Sequence, residues 1–392
     1  METPVDTTRG AAVPTVVLLR CKDYEPERVQ DCLSRGISLL GGMQQFVQPR
    51  ERILLKPNLL SGKAPDRAVT THPAVFHGAA RLFLYGGAHL SYGDSPGFGR
   101  FSTVARRAGL DVVAESLGVE EADFHNGRTV SFPEGKLCRQ FTIAAGALDA
   151  DGIISLAKMK THALTRMTGA VKNQFGCIPG MLKGEFHGRL SKIDEFALML
   201  ADLTRYLKPR LYIMDGIVAM EGNGPGNGTP RNLGVLLMST DPVALDGVAC
   251  RIMNLDPELV PTMVAGRETG LGEYRGVRLL GDRIDDCICP DFKVNRKPDL
   301  SRDSLHRLLV PLMRRHMIPR PVIRQERCTR CGTCVKMCPV TPKAIDFRWP
   351  DPTIPPQYDY DLCIRCYCCQ EVCPDSAIEV ETPWLGRLIH RA

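Results

Sequence analysis

The sequence predicts an α/β body, built on a mostly parallel sheet with helices on both faces, followed by a small α+β domain. Over residues 15–285, short apolar runs alternate with segments of helical periodicity, a pattern typical of parallel sheets covered by helices. Beyond about residue 325 the chain becomes rich in cysteine, and one cysteine pattern occurs twice. We therefore expect a body (1–295), a basic helix and linker (296–324) and a cysteine-rich domain (325–392).

The apolar runs of the body are short enough to be single strands. They cover residues 15–21, 52–58, 88–94, 152–158, 210–216 and 232–240. The segments between them repeat their apolar residues at helical spacing. These predicted helices cover residues 26–40, 72–85, 100–117, 193–207 and 242–253, with a further helix from about 164 to 172.

Charge and hydropathy exclude several classes of protein. The formal net charge of +6 is too small to indicate a nucleic-acid partner. No apolar run reaches the roughly 18 residues of a membrane span, and the first residues lack the pattern of a secretory signal. We expect a cytoplasmic protein with no transmembrane segment. The basic segment 301–324 could dock a partner or lie on a membrane, although a linker packed on its own protein is the commoner case.

Eight of the sixteen cysteines form two copies of the pattern C-x2-C-x2-C-x3-C-P. Three thiolates two residues apart allow one tight loop to wrap three corners of an iron–sulfur cube, and soft thiolates are the ligands that iron–sulfur clusters prefer. Zinc sites usually pair two C-x2-C units instead. The doubled pattern therefore predicts two [4Fe–4S] clusters as cofactors.

With this doubled pattern, residues 320–381 resemble the bacterial-type two-[4Fe–4S] ferredoxin family. In that family the fourth cysteine of each copy binds the cluster of the other copy. The resemblance implies that cluster 1 is held by Cys328, Cys331, Cys334 and Cys373, and cluster 2 by Cys363, Cys366, Cys369 and Cys338. Two features depart from that family. The connection between the copies is long and proline-rich, with Trp349 able to shield a cluster, and Cys368 is an additional thiol.

Polar residues follow several predicted strands of the body at the point where each strand ends. Ligands of open parallel sheets bind outside these carboxyl ends. Lysines 158 and 160 and His162 alternate along the chain, so they share one face if the strand continues. The strand-end residues are Lys56, Asn58, Asp94, Lys158, Lys160, His162, Asp215 and Glu221.

The segment after His162 adds further cationic groups. Lys172 and Asn173 fall at the end of the predicted helix, and a loop broken by glycine and proline would present Lys183 and His187. Converging Lys and His side chains suit an anionic ligand such as a carboxylate or phosphate. The alternative is a solvated basic surface, which is the usual state of a single lysine.

Two glycine loops have no unique interpretation. "GDSPGFG" lies between a predicted strand and a predicted helix, where an anion could bind at the helix start. "EGNGPGNGTP" leads into a strand, so it is not a dinucleotide-binding fingerprint, which requires a helix at that point. It could be a mobile lid, an anion-binding loop or a plain loop.

The body resembles the domain-of-unknown-function 362 family in "LLKPNLL", "GDSPG", "KMKTHALTRMTGAVKNQFGCIPG" and "DGIVAMEGNGPGNGTPRNLGVLLMSTDPVALDGVAC". It has a more distant, fold-level likeness to the N-terminal domain of nickel-dependent lactate racemases. The family resemblance implies that one set of residues forms a unit: Lys158, Lys160, His162, Lys172, Asn173, His187, Asp215, Glu221, Gly222, Gly224, Asp241 and Asp246.

These observations lead to an iron–sulfur oxidoreductase that passes electrons between a soluble donor or acceptor and an anionic small molecule at the strand ends. Lys160, His162 and His187 are the predicted catalytic residues, with a histidine as proton donor because imidazole titrates near neutrality. Asp215 or Glu221 would hold a metal or orient a histidine. Two alternatives stay open: a non-enzymatic electron carrier, redox sensor or docking subunit of a larger complex, and non-redox chemistry such as isomerisation with structural clusters.

Overall fold

A computed structural model describes residues 13–297, 318–348, 351 and 353–384 of the chain. Most of the segment predicted to be a basic helix and linker lies outside these ranges, and so does Trp349. The part of that segment that is described includes a strand, Arg320–Ile323, which pairs with Ile378–Glu381 of the C-terminal domain. The chain has therefore already joined the C-terminal domain at Arg320.

A nine-stranded sheet forms the centre of the body. Its strands are β1 (Thr15–Arg20), β2 (Arg52–Pro57), β3 (His89–Tyr92), β4 (Glu120–Glu121), β7 (Gly152–His162), β8 (Arg166–Thr168), β9 (Leu211–Glu221), β10 (Thr229–Ser239) and β11 (Arg278–Gly281). Their order is β11-β1-β10-β9-β7-β2-β3-β4, and β8 pairs with β7. A separate hairpin consists of β5 (Gly127–Ser131) and β6 (Gln140–Ala144).

Most neighbouring strands of this sheet run parallel. The pairs β1/β11, β2/β3, β2/β7, β3/β4 and β7/β9 are parallel. Strand β10 is antiparallel to both β1 and β9, and the short β8 returns antiparallel to β7. The sheet is thus mixed but mostly parallel, and the predicted fold class is confirmed.

Helices cover both faces of the sheet. The helices of the body are α1 (Pro26–Leu39), α2 (Pro73–Tyr85), α3 (Phe101–Arg107), α4 (Leu110–Leu117), α5 (Ala145–Asp149), α6 (Ala170–Asn173), α7 (Leu182–Arg189), α8 (Ile193–Leu207), α9 (Pro242–Ile252) and α10 (Pro261–Glu268). Within the described ranges, no helix is long and apolar enough to span a bilayer.

Alternation along the strands divides the core into two layers, because successive side chains of a strand point to opposite faces. Leu54 of β2 packs with the cluster that contains α8 and α9, while its neighbours Ile53 and Leu55 pack with α1 and α2. Strand β9 divides in the same way, with Met214 on the first face and Ile213 on the second. A sheet with two apolar faces explains why the strands read as apolar runs.

Three local predictions are wrong. The predicted helix 100–117 is two helices, because Gly109 adopts a left-handed conformation (φ 72°) between α3 and α4. The predicted helix 164–172 is instead the return strand β8 followed by the single turn α6. The loop predicted to present Lys183 and His187 contains helix α7, which carries both residues.

The C-terminal domain folds as two similar halves. Its strands are β12 (Arg320–Ile323), β13 (Ile345–Asp346), β14 (Gln357–Tyr358) and β15 (Ile378–Glu381), and its helices are α11 (Thr333–Lys336) and α12 (Cys368–Glu371). Strand β12 pairs with β15 and β13 with β14, both antiparallel. Each helix begins directly after a left-handed residue, Gly332 in one half and Tyr367 in the other. The repeated cysteine pattern therefore gives a repeated fold.

Candidate active site at the junction of the two domains

The carboxyl ends of β2 and β3 are joined by a buried ion pair. Lys56 Nζ lies 3.0 Å from Asp94 Oδ1, and both side chains are buried. The second oxygen of Asp94 accepts a hydrogen bond from the backbone N–H of Leu59 at 2.7 Å. Asn173 connects this pair to α6, because its Oδ1 accepts from Nδ2 of Asn58 at 3.1 Å. The predicted residues Lys56, Asn58, Asp94 and Asn173 therefore lie together.

Strand β7 continues beyond its apolar run and carries buried lysines. Lys158 donates to Asp215 Oδ2 at 2.7 Å and to the hydroxyl of Tyr24 at 2.9 Å. Lys160 donates to Asn58 Oδ1 at 2.9 Å and to the carbonyl of Val69 at 2.6 Å. These partners allow two lysines to be buried in the sheet, since a buried charge requires hydrogen bonds or an opposite charge.

His162 connects the body to the C-terminal domain. Its Nε2 lies 2.9 Å from Oε1 of Glu371 in α12. Its Nδ1 accepts hydrogen bonds from the backbone N–H groups of Leu164 and Thr165, at 3.0 and 3.2 Å. The proton of a neutral His162 is therefore on Nε2, on the side of Glu371.

A cavity of about 90 Å³ lies where these strand ends meet the C-terminal domain. This volume holds several water molecules or a small ligand. Side chains of both domains line it. From the body these include Asn58, Asp94, Lys172, Asn173, Lys183 and His187, and from the C-terminal domain Met337, Cys368 and Glu371. We call it the junction cavity.

Two lysines give the junction cavity its positive charge. Within the described part of the chain, Lys172 Nζ has no hydrogen-bond partner, and its nearest aromatic contact is the Phe175 ring, 5.9 Å away. Burial lowers the pKa of Lys172, which shows that the charge is poorly solvated. Lys183 Nζ donates to the carbonyl of Ser95 at 2.8 Å, and burial lowers its pKa to about 8. Lys172 is thus the cation most available to an anionic ligand.

The two predicted catalytic histidines do not titrate near neutrality. Burial, helped by the charge of Lys172, lowers the pKa of His162 to about 4, and burial lowers that of His187 to about 3. Both are neutral at pH 7, so neither has the near-neutral pKa on which the prediction of a histidine as proton donor is based, and that role stays a prediction. Burial together with Lys172 lowers the pKa of Lys160 to about 7 instead. Lys160 and Lys183 are therefore groups of the site that gain and lose a proton near neutrality.

The glycine-rich loop between β9 and β10 contacts the C-terminal domain. Gln370 Nε2 donates to the carbonyl of Asn223 at 3.0 Å, and Asn227 Nδ2 donates to the carbonyl of Gln370 at 2.9 Å. A Cβ atom at Gly226 would lie 3.0 Å from the Glu371 carbonyl oxygen. The loop that the sequence left open as a lid, an anion-binding loop or a plain loop thus holds α12 against the body.

Cysteines from both copies of the pattern come together in the C-terminal domain. One cavity is lined by Cys328, Cys331, Cys334 and Cys373, the set predicted for cluster 1, which draws its fourth member from the second copy of the pattern. Of the set predicted for cluster 2, Cys338, Cys363 and Cys369 lie in the core of this domain. The Tyr358 hydroxyl donates to Sγ of Cys369 at 3.2 Å, the kind of contact that tunes an iron–sulfur cluster.

The junction cavity adjoins the second of these sets. Met337 precedes Cys338, and Cys368 precedes Cys369, so two wall residues are chain neighbours of predicted ligands of cluster 2. Cys368 itself belongs to neither set and is buried at the cavity wall. The additional thiol noted in the sequence therefore faces the same cavity as Lys172 and His187.

Four predicted or family-implied acids lie outside the junction cavity. Asp215 accepts from Lys158 and Tyr24, and Glu221 accepts from the backbone N–H of Lys293 at 3.0 Å. Asp241 caps the start of α9 and Asp246 the start of α6. Among the described residues of the body, no three His, Cys, Asp or Glu side chains are grouped to hold a metal ion. The structure thus gives Asp215 and Glu221 roles in bonding the body together.

Sequence reasoning missed two contributors to this site. Glu371 is an acid inside a cysteine pattern, which is a visible signal, since it places a charge beside an anionic cluster. Ser95, which follows Asp94 at the predicted strand end, lines the cavity and accepts from Lys183 there. Tyr24, stacked 3.5 Å from His72, lies 191 residues from Asp215, and nothing local indicates that contact.

Comparison with known proteins first defines the class of protein. Residues 320–374 match the model described as a 4Fe-4S dicluster domain, so this is an iron–sulfur protein. Residues 53–251 match the model described as Domain of unknown function (DUF362). The chain belongs to the DUF362 family, and the resemblance stated from the sequence is confirmed.

One curated relative is the Thylakoid-associated protein sll1697 of Synechocystis sp., 40% identical over 260 residues, which cover 66% of this chain and 80% of that protein. The lactate racemase apoprotein of Thermoanaerobacterium thermosaccharolyticum aligns with a TM-score of 0.40 and 11% identity, over 60% of this chain and 56% of that chain. A Thermotoga maritima protein aligns with a TM-score of 0.32 and 13% identity, over 65% and 61%. At these scores neither structural likeness bears on chemistry.

Proposed function

We propose that this protein is an oxidoreductase that passes electrons between a soluble redox partner and a small anion bound in the junction cavity. The observation that supports it is the position of this cavity. Lys172 and His187 form one side, and residues next to two predicted ligands of cluster 2 form the other. A molecule held by Lys172 would therefore lie beside a redox centre of the same chain.

The residues of the chain would bind, orient and protonate this molecule. When bound, the two [4Fe–4S] clusters would supply single electrons. Lys172 would hold the anionic group, because its ammonium has no other hydrogen-bond partner in the described structure. Lys160, with a pKa of about 7, would be a proton-exchanging group beside the cavity, because its hydrogen-bond partner Asn58 lines the cavity.

The position of the cluster-1 cysteines suggests where the soluble partner docks. Cys331 is exposed, and Cys328 and Cys373 are partly exposed, whereas Cys338, Cys363 and Cys369 are buried. Electrons would therefore enter or leave at cluster 1, and cluster 2 would exchange them with the junction cavity. We keep the cytoplasm as the proposed location, where the other cysteines stay reduced. The Synechocystis relative is named as thylakoid-associated, so association with a thylakoid is the alternative.

Binding in the junction cavity is tested with anaerobically purified, cluster-loaded full-length protein. Native mass spectrometry shows whether a small molecule copurifies, and thermal shifts with phosphate and with small mono- and dicarboxylates provide defined probes. A ligand at 100 times its Kd stabilises the folded state by about 2.7 kcal/mol. We expect stabilisation by at least one probe or a copurified anion, lost in Lys172→Met and kept in Lys192→Met. Lys192 is the matched control because it is exposed and pairs with nearby Glu195.

Equal stabilisation of the Lys172→Met and Lys192→Met proteins would overturn the proposed site. The electron-carrier alternative would be favoured if the protein has its full iron–sulfur content, carries no bound molecule and responds to none of the probes. A molecule that binds through Lys172 yet leaves the reduced clusters unchanged would favour non-redox ligand chemistry.

A further inference from the structure

Arg365 is a buried arginine whose guanidinium has no hydrogen-bond acceptor. The residue is 5% exposed, and its Nε, Nη1 and Nη2 atoms all lack a partner in the described structure. The guanidinium makes a cation–π contact with Tyr360, whose ring centroid lies 5.0 Å from the guanidinium carbon. A guanidinium carries five N–H donors and stays charged in proteins. Burying it unpaired is costly, so an anionic acceptor is expected beside it.

The position of Arg365 indicates which anion that is. It lies between Cys363 and Cys366, inside the loop that would wrap cluster 2. Tyr360 packs against the cysteine core of the domain. A cluster held by four thiolates is an anion whose sulfurs accept hydrogen bonds. The orphaned guanidinium thus fits a cluster that the sequence predicts on independent grounds.

The first copy of the pattern provides an internal comparison. Arg330 occupies the same place, between Cys328 and Cys331, and both arginines have left-handed backbones with φ of 60° and 62°. Arg330, however, is exposed, and its Nη1 donates to the carbonyl of Thr353 at 3.1 Å. The arginine at this position is therefore solvated and hydrogen-bonded in the first copy, whereas in the second copy it is buried without an acceptor.

We infer that Arg365 is the counter-charge that raises the reduction potential of cluster 2 above that of cluster 1. Burial alone would give the opposite order, because a low dielectric disfavours the more negative, reduced state, and the cysteines of cluster 2 are the more buried set. A fixed positive charge favours the reduced state. The electron would then reside on the cluster that adjoins the junction cavity.

The inference rests on the cluster assignment and not on chemistry in the junction cavity. It is tested by redox titration of the anaerobic, cluster-loaded full chain without any added ligand, followed by EPR. We expect one of the two midpoint potentials to be at least about 59 mV lower in Arg365→Gln. For a one-electron couple this shift is a tenfold change in the reduction equilibrium. Arg330→Gln is the matched control, and we expect both of its midpoints to remain.

Unchanged midpoints in Arg365→Gln at full iron content would overturn the inference, and so would an equal shift in Arg330→Gln. If Arg365→Gln binds less iron, Arg365→Lys decides the question, since it keeps the positive charge. Full iron with wild-type midpoints in that variant supports the counter-charge, and full iron with a lowered midpoint contradicts it. Loss of iron in both variants would mean that Arg365 is needed for assembly rather than for the potential. Because the titration uses no ligand, its result can be interpreted even if the test for anion binding in the junction cavity fails.

Discussion

His162 Nε2 of the body lies 2.9 Å from Glu371 Oε1 of the C-terminal domain, and both side chains are largely shielded from water. This contact ties the end of β7 to the helix that carries Cys368 and Cys369. Although burial alone would raise it, the neighbouring His162 and Lys172 hold the pKa of Glu371 well below its usual range. Glu371 therefore places a negative charge among the cations of the body and closes one wall of the junction cavity.

Replacing Glu371 should loosen the junction of the two domains. Glu371→Ala removes the acid that lies 2.9 Å from His162 Nε2 and whose charge favours the protonated form of Lys172, and leaving a buried donor without its partner costs about 1–3 kcal/mol. We expect a lower thermal midpoint and faster proteolytic separation of the two domains. Glu326→Ala is the matched control, because Glu326 is an exposed acid of the same domain. Equal proteolysis of the two variants would show that the Glu371 contact does not hold the domains together.

Gly176 should not tolerate a side chain. A Cβ atom there would lie 1.7 Å from Asp94 Oδ1 and 2.7 Å from Lys56 Nζ, so Gly176→Ala forces the buried ion pair apart. Overpacking of this kind costs about 1–3 kcal/mol. Gly184 lines the same cavity, and its added Cβ would meet nothing within 4 Å. We expect a lower unfolding midpoint for Gly176→Ala alone, and an equal loss in Gly184→Ala would contradict this reason.

Lys160 should make stability depend on pH above neutrality. Its pKa falls from 10.5 to about 7 in the folded protein, because of burial and the charges of Lys172 and Lys158, partly offset by Glu371 and Asp94. Between these values the unfolded chain binds more protons, so the free energy of unfolding rises with pH, by at most about 1.4 kcal/mol per unit for this group.

The comparison protein for that pH dependence is Lys160→Met. We expect its unfolding midpoint to rise less steeply than that of the wild type from pH 7 to pH 10. Lys183 contributes a slope of the same sign in both proteins, so it cancels from the difference. Parallel curves for the two proteins would show that Lys160 stays protonated in the folded state.

Crossed ligation predicts an unusual pattern of iron loss. If Cys331 and Cys373 hold the same cluster, the double variant Cys331→Ser/Cys373→Ser should lose only one cluster, because both changes fall on one site. Ligation of each cluster by its own copy of the pattern would empty both sites. Iron and sulfide analysis separates these results. Cys368→Ser is the control and should keep the full iron content, since Cys368 belongs to neither predicted set.

The sequence predicts the architecture well because the sheet has two apolar faces. Buried parallel strands are continuous apolar runs, and α8 lies at residues 193–207 as expected. The sequence does not predict that β7 and β9 continue past their apolar runs. Lys158 and Lys160 in β7 and Asp215 in β9 are charged residues, and they can be buried only because they have partners far away in the sequence. The return strand β8 was assigned to a helix, since its few residues carry no strand period.

For the candidate site, too, one part can be predicted from the sequence and another part cannot. Proximity of Lys56, Asn58 and Asp94 follows from the rule that ligands bind at strand ends, so the sequence predicts it. The closing wall could not be predicted, because it depends on how the C-terminal domain sits on the glycine-rich loop. Glu371, Met337 and Cys368 reach the cavity only through that docking. The pKa values of His162 and His187 depend on burial, which no local pattern reports.

The account is tested most directly by electron transfer from the reduced clusters to the occupant of the junction cavity. The anaerobic, cluster-loaded protein is reduced with dithionite, freed of excess reductant and mixed with the anion identified by mass spectrometry or by thermal shift. Cluster absorbance is then followed in the wild type, Lys172→Met and Lys192→Met. We predict rapid reoxidation in the wild type and Lys192→Met, and at least a tenfold slower rate in Lys172→Met at equal iron content. Reoxidation at the same rate in all three proteins would contradict the account.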